Sequence, residues 1–397
     1  LHRLIRRQRQ MCIRDSLFPR TLQEYLPEVD GKVTLVCLAW YVISSVSSNL
    51  SKSILREFTH PSALTEIQFL LNALFCISFI TLVNFLQNSP LNERGISKAC
   101  QNFPEGILPS YLNGNFRESI QKKFLNPSKI ILMTTFPMGV FQFVGHITSY
   151  KATSLIPVSL VHSMKALSPI ITVGYYRFFQ GKHYNPMTYL TLIPLILGVM
   201  VTCWSTHGNK KPNSKTNEAG LSMFTGLLHA SISMLIFVSQ NIFAKSILTV
   251  RVKKGILPSS ESSPTLEKKE VSPIQIDKIT ILFYCSCIGF LLTLPLFLTG
   301  ELFKHQSVFQ DMSTRTLYLI LFHGVTHFCQ AMLAFQLIGM LSSVNYSVAN
   351  IMKRIVIISV ALIWESRLNF VQLLGLSMTL GGLYGYDKWG ISRKSGY

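Results

Sequence analysis

Ten stretches of about 20 mostly apolar residues set the limits on this chain, because that is the length a helix needs to cross a bilayer. They run at roughly 33–51, 62–86, 130–149, 155–177, 187–206, 220–243, 277–299, 316–338, 343–364 and 369–388. A soluble protein of 397 residues would break such runs into strands and amphipathic helices. Composition agrees. Charged residues make up only 14% of the chain, against roughly 25% in soluble proteins, and the mean hydropathy is +0.34. The expected fold class is therefore an all-α polytopic membrane protein, with too few loop residues for a soluble catalytic domain.

A net charge of +19 raises nucleic-acid binding, which the distribution of charge argues against. The Lys and Arg residues lie mostly between the apolar runs, where they report membrane topology. With the N-terminus in the cytosol and ten spans, the cytosolic segments hold 25 Lys and Arg against 9 on the other side. Arg9–Ser16 look like translated sequencing adapter, so residues 1–16 are set aside as an artefact. The bias is then 20 against 9, and both termini are still expected in the cytosol. The eight cysteines (Cys12, Cys37, Cys76, Cys100, Cys203, Cys285, Cys287 and Cys329) show neither zinc spacing nor a disulfide framework.

The spans divide into two groups of five. Residues 33–206 form the first, with a long loop at 87–128. Residues 220–390 form the second, with a loop at 246–276. A tail (1–32), a connection (207–219) and a C-terminal tail (391–397) complete the chain. Both long loops read as flexible and solvated. At an offset of 188, Ser159, Met164 and Lys165 align with Ser347, Met352 and Lys353. Five spans per half place equivalent helices in opposite directions, the arrangement of an inverted repeat whose interface holds the transport site.

Fixed charge inside apolar helices is the feature that bears on chemistry. Lys165 lies in the fourth span and the Lys353-Arg354 pair in the ninth. Each intramembrane cation costs about 2.5–3.5 kcal/mol on insertion scales. No acidic residue within a span is placed to pair with them. Glu66 stands near the start of the second span, and Asp277, Glu365 and Asp387 at span ends. The deficit suggests that the missing anion is a ligand. A phosphate dianion suits it: Arg354 grips bidentately and each Lys acts as a point charge. Alternatively, the cations reach lipid headgroups or loop carboxylates. His146 and Ser149 lie one turn apart and share a face, although a membrane His also serves as a simple helix–helix hydrogen bonder. Gln330 fits either role. His323 and His327 have i,i+4 spacing but no third ligand nearby, so no metal is expected.

Pro169 cannot donate to the Lys165 carbonyl, so the helix should bend there. Pro157, Pro194 and Pro295 suggest further kinks. Gly198, Gly381, Gly382 and Gly385 read as close-packing positions. The chain carries no P-loop and no nucleophile arrangement, so neither an enzyme nor a pump driven by its own ATP hydrolysis is expected.

Several stretches resemble the triose-phosphate transporter family, within the drug/metabolite transporter superfamily, and its fungal branch in early secretory membranes in particular. They are Trp40-Tyr41 with Asn49-Leu50-Ser51-Lys52, then His60-Pro61, Gln240–Lys245, and Val348–Arg354, the most specific. The resemblance implies ten helices in two inverted repeats, no cofactor, and exchange of a small phosphorylated metabolite (of triose phosphate or phosphoenolpyruvate type) for inorganic phosphate. It assigns phosphate binding to Lys165, Lys353 and Arg354, and carries His146 and Ser149 with them, Ser149 standing where the family has Thr. The family's phosphate-binding Tyr falls on Gln330, which puts the carbon skeleton in question. The endoplasmic reticulum or Golgi is implied as the location. A nucleotide-sugar carrier of the same superfamily and a non-transporting membrane trafficking factor are the alternatives. Nothing in the sequence sets the oligomeric state.

Overall fold

The computed structural model describes residues 31–88, 107–179, 181, 183–208, 216–254, 276–302, 308, 311–341, 343–364 and 369–386. Outside them lie the tails at 1–30 and 387–397, Cys12, Cys100, the Ser/Pro stretch at 258–264, Lys268-Lys269, Glu365, Asp387 and most of the connection at 207–219. The described residues are helical with no strand. The helices are α1 (Gly31–Glu57), α2 (Pro61–Asn88), α3 (Lys129–Leu155), α4 (Val158–Ala166), α5 (Ser168–Phe179) and α6 (Pro186–Gly208). They continue as α7 (Thr216–Lys254), α8 (Lys278–Phe297), α9 (Thr314–Met340), α10 (Ser343–Trp364) and α11 (Phe370–Gly385). Among the described residues, six helices (α1, α2, α3, α7, α8 and α9) contain segments long and apolar enough to cross a membrane.

Local chemistry sets several helix ends. Ser128 and Ser313 cap α3 and α9 by accepting from Ile131 N and Thr316 N, which satisfies first-turn donors that have no intrahelical partner. Pro157 stands at the start of α4 rather than inside a helix, where its missing N–H costs nothing; the expected kink there is a helix start. Pro194 and Pro295 do lie inside α6 and α8. The span expected at 155–177 is not one bent helix. It breaks at Leu167, and Pro169 sits in the first turn of α5.

Packing relies on small residues, because lipid gives apolar helices little reason to associate. A Cβ on Gly198 would stand 2.5 Å from Thr379 N, and one on Gly382 would stand 2.5 Å from Leu195 N, so α6 and α11 touch backbone to backbone. Gly381, expected to do the same, faces open space; it lies on the other flank of α11. Polar bonds join other pairs. Asn72 Nδ2 on α2 donates to Ser286 Oγ on α8 at 2.7 Å, and Ser233 Oγ on α7 donates to the Gly145 carbonyl on α3 at 3.0 Å. Lys52 on α1 donates to the carbonyls of Thr153 and Ile156, at 2.5 and 2.9 Å. It thereby satisfies acceptors left over at the C-terminus of α3.

The described part of the loop, 107–128, departs from its reading as a solvated connection. Ile107, Ile120 and Phe124 are fully buried; Ile120 and Phe124 pack with Cys76, Ile80 and Phe283 of α2 and α8, and the Ile107 carbonyl accepts from Ile279 N of α8 at 3.2 Å. Ile120 and Phe124 fall one turn apart in a short π-helical segment (Arg117–Phe124). Gly114, at φ 82°, makes the turn before it and donates its N–H to Asn84 Oδ1 at 2.9 Å. The surrounding Asn and charged residues hid a short apolar stripe.

Candidate functional site

The break at Leu167 is where the site is built. Pro169 has no N–H to return to Lys165, so the Lys165 carbonyl lacks its i+4 partner. Arg354, on α10, supplies one. Its Nη1 donates to the Lys165 carbonyl and, at 2.8 Å, to Ser168 Oγ. Sequence reading missed Ser168, although its place before Pro169 in a broken helix was a usable signal.

The Lys165 side chain has partners of its own. Its Nζ donates to Ser149 Oγ on α3 at 2.7 Å and lies 5.3 Å from the centre of the Phe237 ring on α7. Lys353 Nζ lies 4.1 Å from the centre of a Trp40 ring, and Trp40 is 1% exposed. Trp40 entered the sequence argument only as part of a motif and had no assigned role. Each of the three cations is thus held by neutral acceptors or aromatic faces. The ion pairs among the described residues are His60–Asp311 and Glu57–Arg315, near the helix ends; neither involves Lys165, Lys353 or Arg354. Glu66 is buried, and both its oxygens lack a hydrogen-bond partner, so it is not their counterion.

His146 sits one turn before Ser149 and is ringed by aromatic groups. Ring centres lie at 5.5 Å for His327, 5.6 Å for Phe237 and 5.7 Å for Phe69. Phe237 therefore contacts both Lys165 and His146. His323, one turn from His327, is engaged on both sides: Ser47 Oγ lies 3.2 Å from Nδ1 and Tyr150 Oη lies 3.1 Å from Nε2. Among the described residues no cluster of three His, Cys, Asp or Glu is placed to hold a metal.

Beside His146 lies a cavity of about 220 Å³, walled by α2, α3, α8 and α9. Thr65, Gln68, Asn72, Gln142, His146, Tyr150 and His327 supply its polar lining. Gln330 lies three residues from His327 but outside that lining. The i,i+4 pair Gln68 and Asn72 on an otherwise apolar α2 was a legible signal that the sequence reading passed over.

A family model described as "Triose-phosphate Transporter family" matches residues 31–387. The chain belongs to the triose-phosphate transporter family. It is 63% identical to "Uncharacterized transporter SLY41" of Saccharomyces cerevisiae, over 96% of this chain and 85% of that one. It is 25% identical to "Glucose-6-phosphate/phosphate translocator 1, chloroplastic" of Arabidopsis thaliana, over 64% of this chain and 58% of that one. It is 20% identical to "Phosphoenolpyruvate/phosphate translocator 1, chloroplastic" of rice, over 88% of this chain and 69% of that one. As a triose-phosphate transporter family member the chain is a multi-pass membrane transporter. In this family member the fourth predicted span is two helices, and its lysine carbonyl is held by the arginine of α10.

Proposed function

We propose that this transporter exchanges small phosphorylated metabolites for inorganic phosphate by alternating access, with Lys165, Lys353 and Arg354 receiving the phosphate. The carrying observation is that, among the described residues, three cations within apolar helices have hydroxyls, one carbonyl and aromatic faces for partners and no carboxylate. Such partners are given up readily. A phosphate would replace them with charge-assisted hydrogen bonds, which are shorter and roughly twice as strong as neutral ones. Ser149 accompanies Lys165, and His146 links the phosphate end to the neighbouring cavity. Two plastid relatives carry phosphate translocation in their names, which favours the same chemistry here.

Exchange rather than one-way leak follows from electrostatics. An empty site leaves three like charges close together in a medium of low dielectric, so reorientation without an anion is costly. The anion offsets the charge and lowers that barrier. The pairing of helices supports ten spans arranged as two inverted five-helix repeats, 33–206 and 220–390, with α4 and α5 forming one span. Helix α6 packs on α11, α2 on α8 and α4 on α10, and the α3–α7 pair has its counterpart in α9–α1. The excess of cytosolic Lys and Arg orients both termini to the cytosol, in a membrane of the endoplasmic reticulum or Golgi.

The test is uptake of labelled phosphate by purified protein in liposomes. Uptake should require phosphate inside and fall at least about 100-fold in the Lys353→Ala plus Arg354→Ala variant, as loss of two charge-assisted contacts predicts. Undiminished uptake by that variant would remove the proposal. Strong inhibition by a nucleotide sugar with none by triose phosphates would favour the nucleotide-sugar alternative. Full rescue of a deletion strain by the charge-neutral triple variant would favour a trafficking role.

A further inference from the structure

The cavity beside His146 carries polar groups that nothing among the described residues satisfies. Gln68 and Asn72 are each 3% exposed. Gln68 Nε2 and Oε1, Asn72 Oδ1 and His327 Nδ1 all lack a hydrogen-bond partner, and all three residues line the cavity. The Asn72 amide is fixed by its bond to Ser286 Oγ, which leaves its oxygen as the free group. Buried polar groups are nearly always paired, so a cluster of unpaired ones in a cavity marks a missing partner.

The chemistry of the lining narrows that partner. An amide offers donors and an acceptor, and an imidazole offers one of each; a hydroxyl complements all of them because it both donates and accepts. Among the described residues no Lys, Arg, Asp or Glu lines the cavity. A second anionic group buried there would be stripped of water with no cation in the wall to receive it. A volume of about 220 Å³ holds several carbon atoms with their hydroxyls. Its position also fits. His146 lines the cavity and stands one turn from Ser149, about 4.5 Å along the helix axis, and Ser149 Oγ accepts from Lys165 Nζ. A molecule with its phosphate at Lys165 and Arg354 would lay its carbon chain past His146 into this space.

We infer that Gln68, Asn72 and His327 determine specificity by receiving the uncharged, hydroxyl-bearing part of the substrate. The transporter then favours phosphorylated polyols and sugars over phosphorylated carboxylic acids. This rests on the phosphate-exchange reading above and selects among its substrates. A site with unpaired buried donors and acceptors rejects molecules that cannot satisfy them.

The experiment uses the full chain in phosphate-loaded liposomes, with glycerol 3-phosphate, phosphoenolpyruvate and inorganic phosphate as external probes. Glycerol 3-phosphate should exchange with a kcat/KM at least tenfold above that of phosphoenolpyruvate. Gln68→Leu and Asn72→Leu, made separately, should each lower the ratio of glycerol 3-phosphate exchange to phosphate–phosphate exchange by about tenfold. A purely structural role would depress both exchanges in parallel and leave the ratio alone. Phosphoenolpyruvate matching or exceeding glycerol 3-phosphate in the wild-type protein overturns the inference, as does an unmoved ratio in both variants. Absence of phosphate–phosphate exchange in the wild-type protein overturns the exchange reading itself, and this inference with it.

Discussion

The two helices that carry the half-buried lysines face one another across the candidate site, yet they are built differently. The chain through Lys165 is broken into α4 and α5 at Leu167, whereas α10 runs unbroken from Ser343 to Trp364 through Lys353 and Arg354. One proline explains the contrast. Pro169 withholds a donor from the Lys165 carbonyl, and the guanidinium of Arg354 takes that carbonyl. The lysines consequently rest on different partners, a serine hydroxyl and Phe237 for Lys165 and the Trp40 face for Lys353. A repeat that looks symmetric in sequence thus has one helix whose lysine carbonyl accepts from a side chain of the other helix in place of its own i+4 N–H. Arg354 is the part that uses the difference.

Changing Arg354 should have the largest effect. Arg354→Lys keeps the charge and loses the fixed guanidinium nitrogen, Nη1, that donates to both the Lys165 carbonyl and Ser168 Oγ. Phosphate exchange in liposomes should fall about 30- to 100-fold, corresponding to loss of charged hydrogen bonds worth about 2–3 kcal/mol. Retention of near wild-type exchange would show that charge alone suffices and that the helix break is incidental.

Pro169→Ala tests the break directly. Alanine returns an N–H four residues after Lys165, so the helix and Arg354 compete for one carbonyl. Apparent phosphate affinity should weaken about three- to tenfold while thermal stability holds or rises, because an alanine favours a continuous helix by up to about 3 kcal/mol over proline. Unchanged affinity would mean that Arg354 does not depend on that carbonyl.

Trp40→Phe sharpens the comparison from the α10 side. It keeps an aromatic face but a poorer one for a cation, and a cation–π contact is worth about 0.5–2 kcal/mol. Loosening Lys353 from its resting partner should change apparent phosphate affinity by no more than about threefold. Phe237→Leu should act through Lys165 instead, and because both lysines serve one phosphate the combined variant should depart from the sum of the two.

Much of the fold was legible because bilayer crossing demands long apolar runs, and most helices found begin and end near the expected ranges; α7 is the exception in length, running on to Lys254 into the loop expected from residue 246. The cations inside the apolar runs were legible for the same reason, since a Lys there carries a cost that a role must offset. The partners were not. Ser168 and Phe237 come from elements whose approach is fixed by tertiary packing, and sequence spacing carries no record of it. The break at Leu167 lay within reach: Ser-Pro after Leu167 is a helix start, but the apolar run across it masked the signal. The buried part of the loop at 107–128 was obscured by polar neighbours. Gln68 and Asn72 stood in plain view at helical spacing, yet only the cavity between α2, α3, α8 and α9 shows why they are there.

The central claim is that three cations in apolar helices wait for an anion, and thermal unfolding in detergent measures it most directly. Wild-type protein should be stabilised by inorganic phosphate in a concentration-dependent way, as binding to the folded state requires. The charge-neutral Lys165→Gln, Lys353→Gln, Arg354→Gln variant should show no such shift. In phosphate-free buffer it should melt at or above the wild-type temperature, because the repulsion is gone. A variant that phosphate stabilises as strongly as wild type would contradict the account.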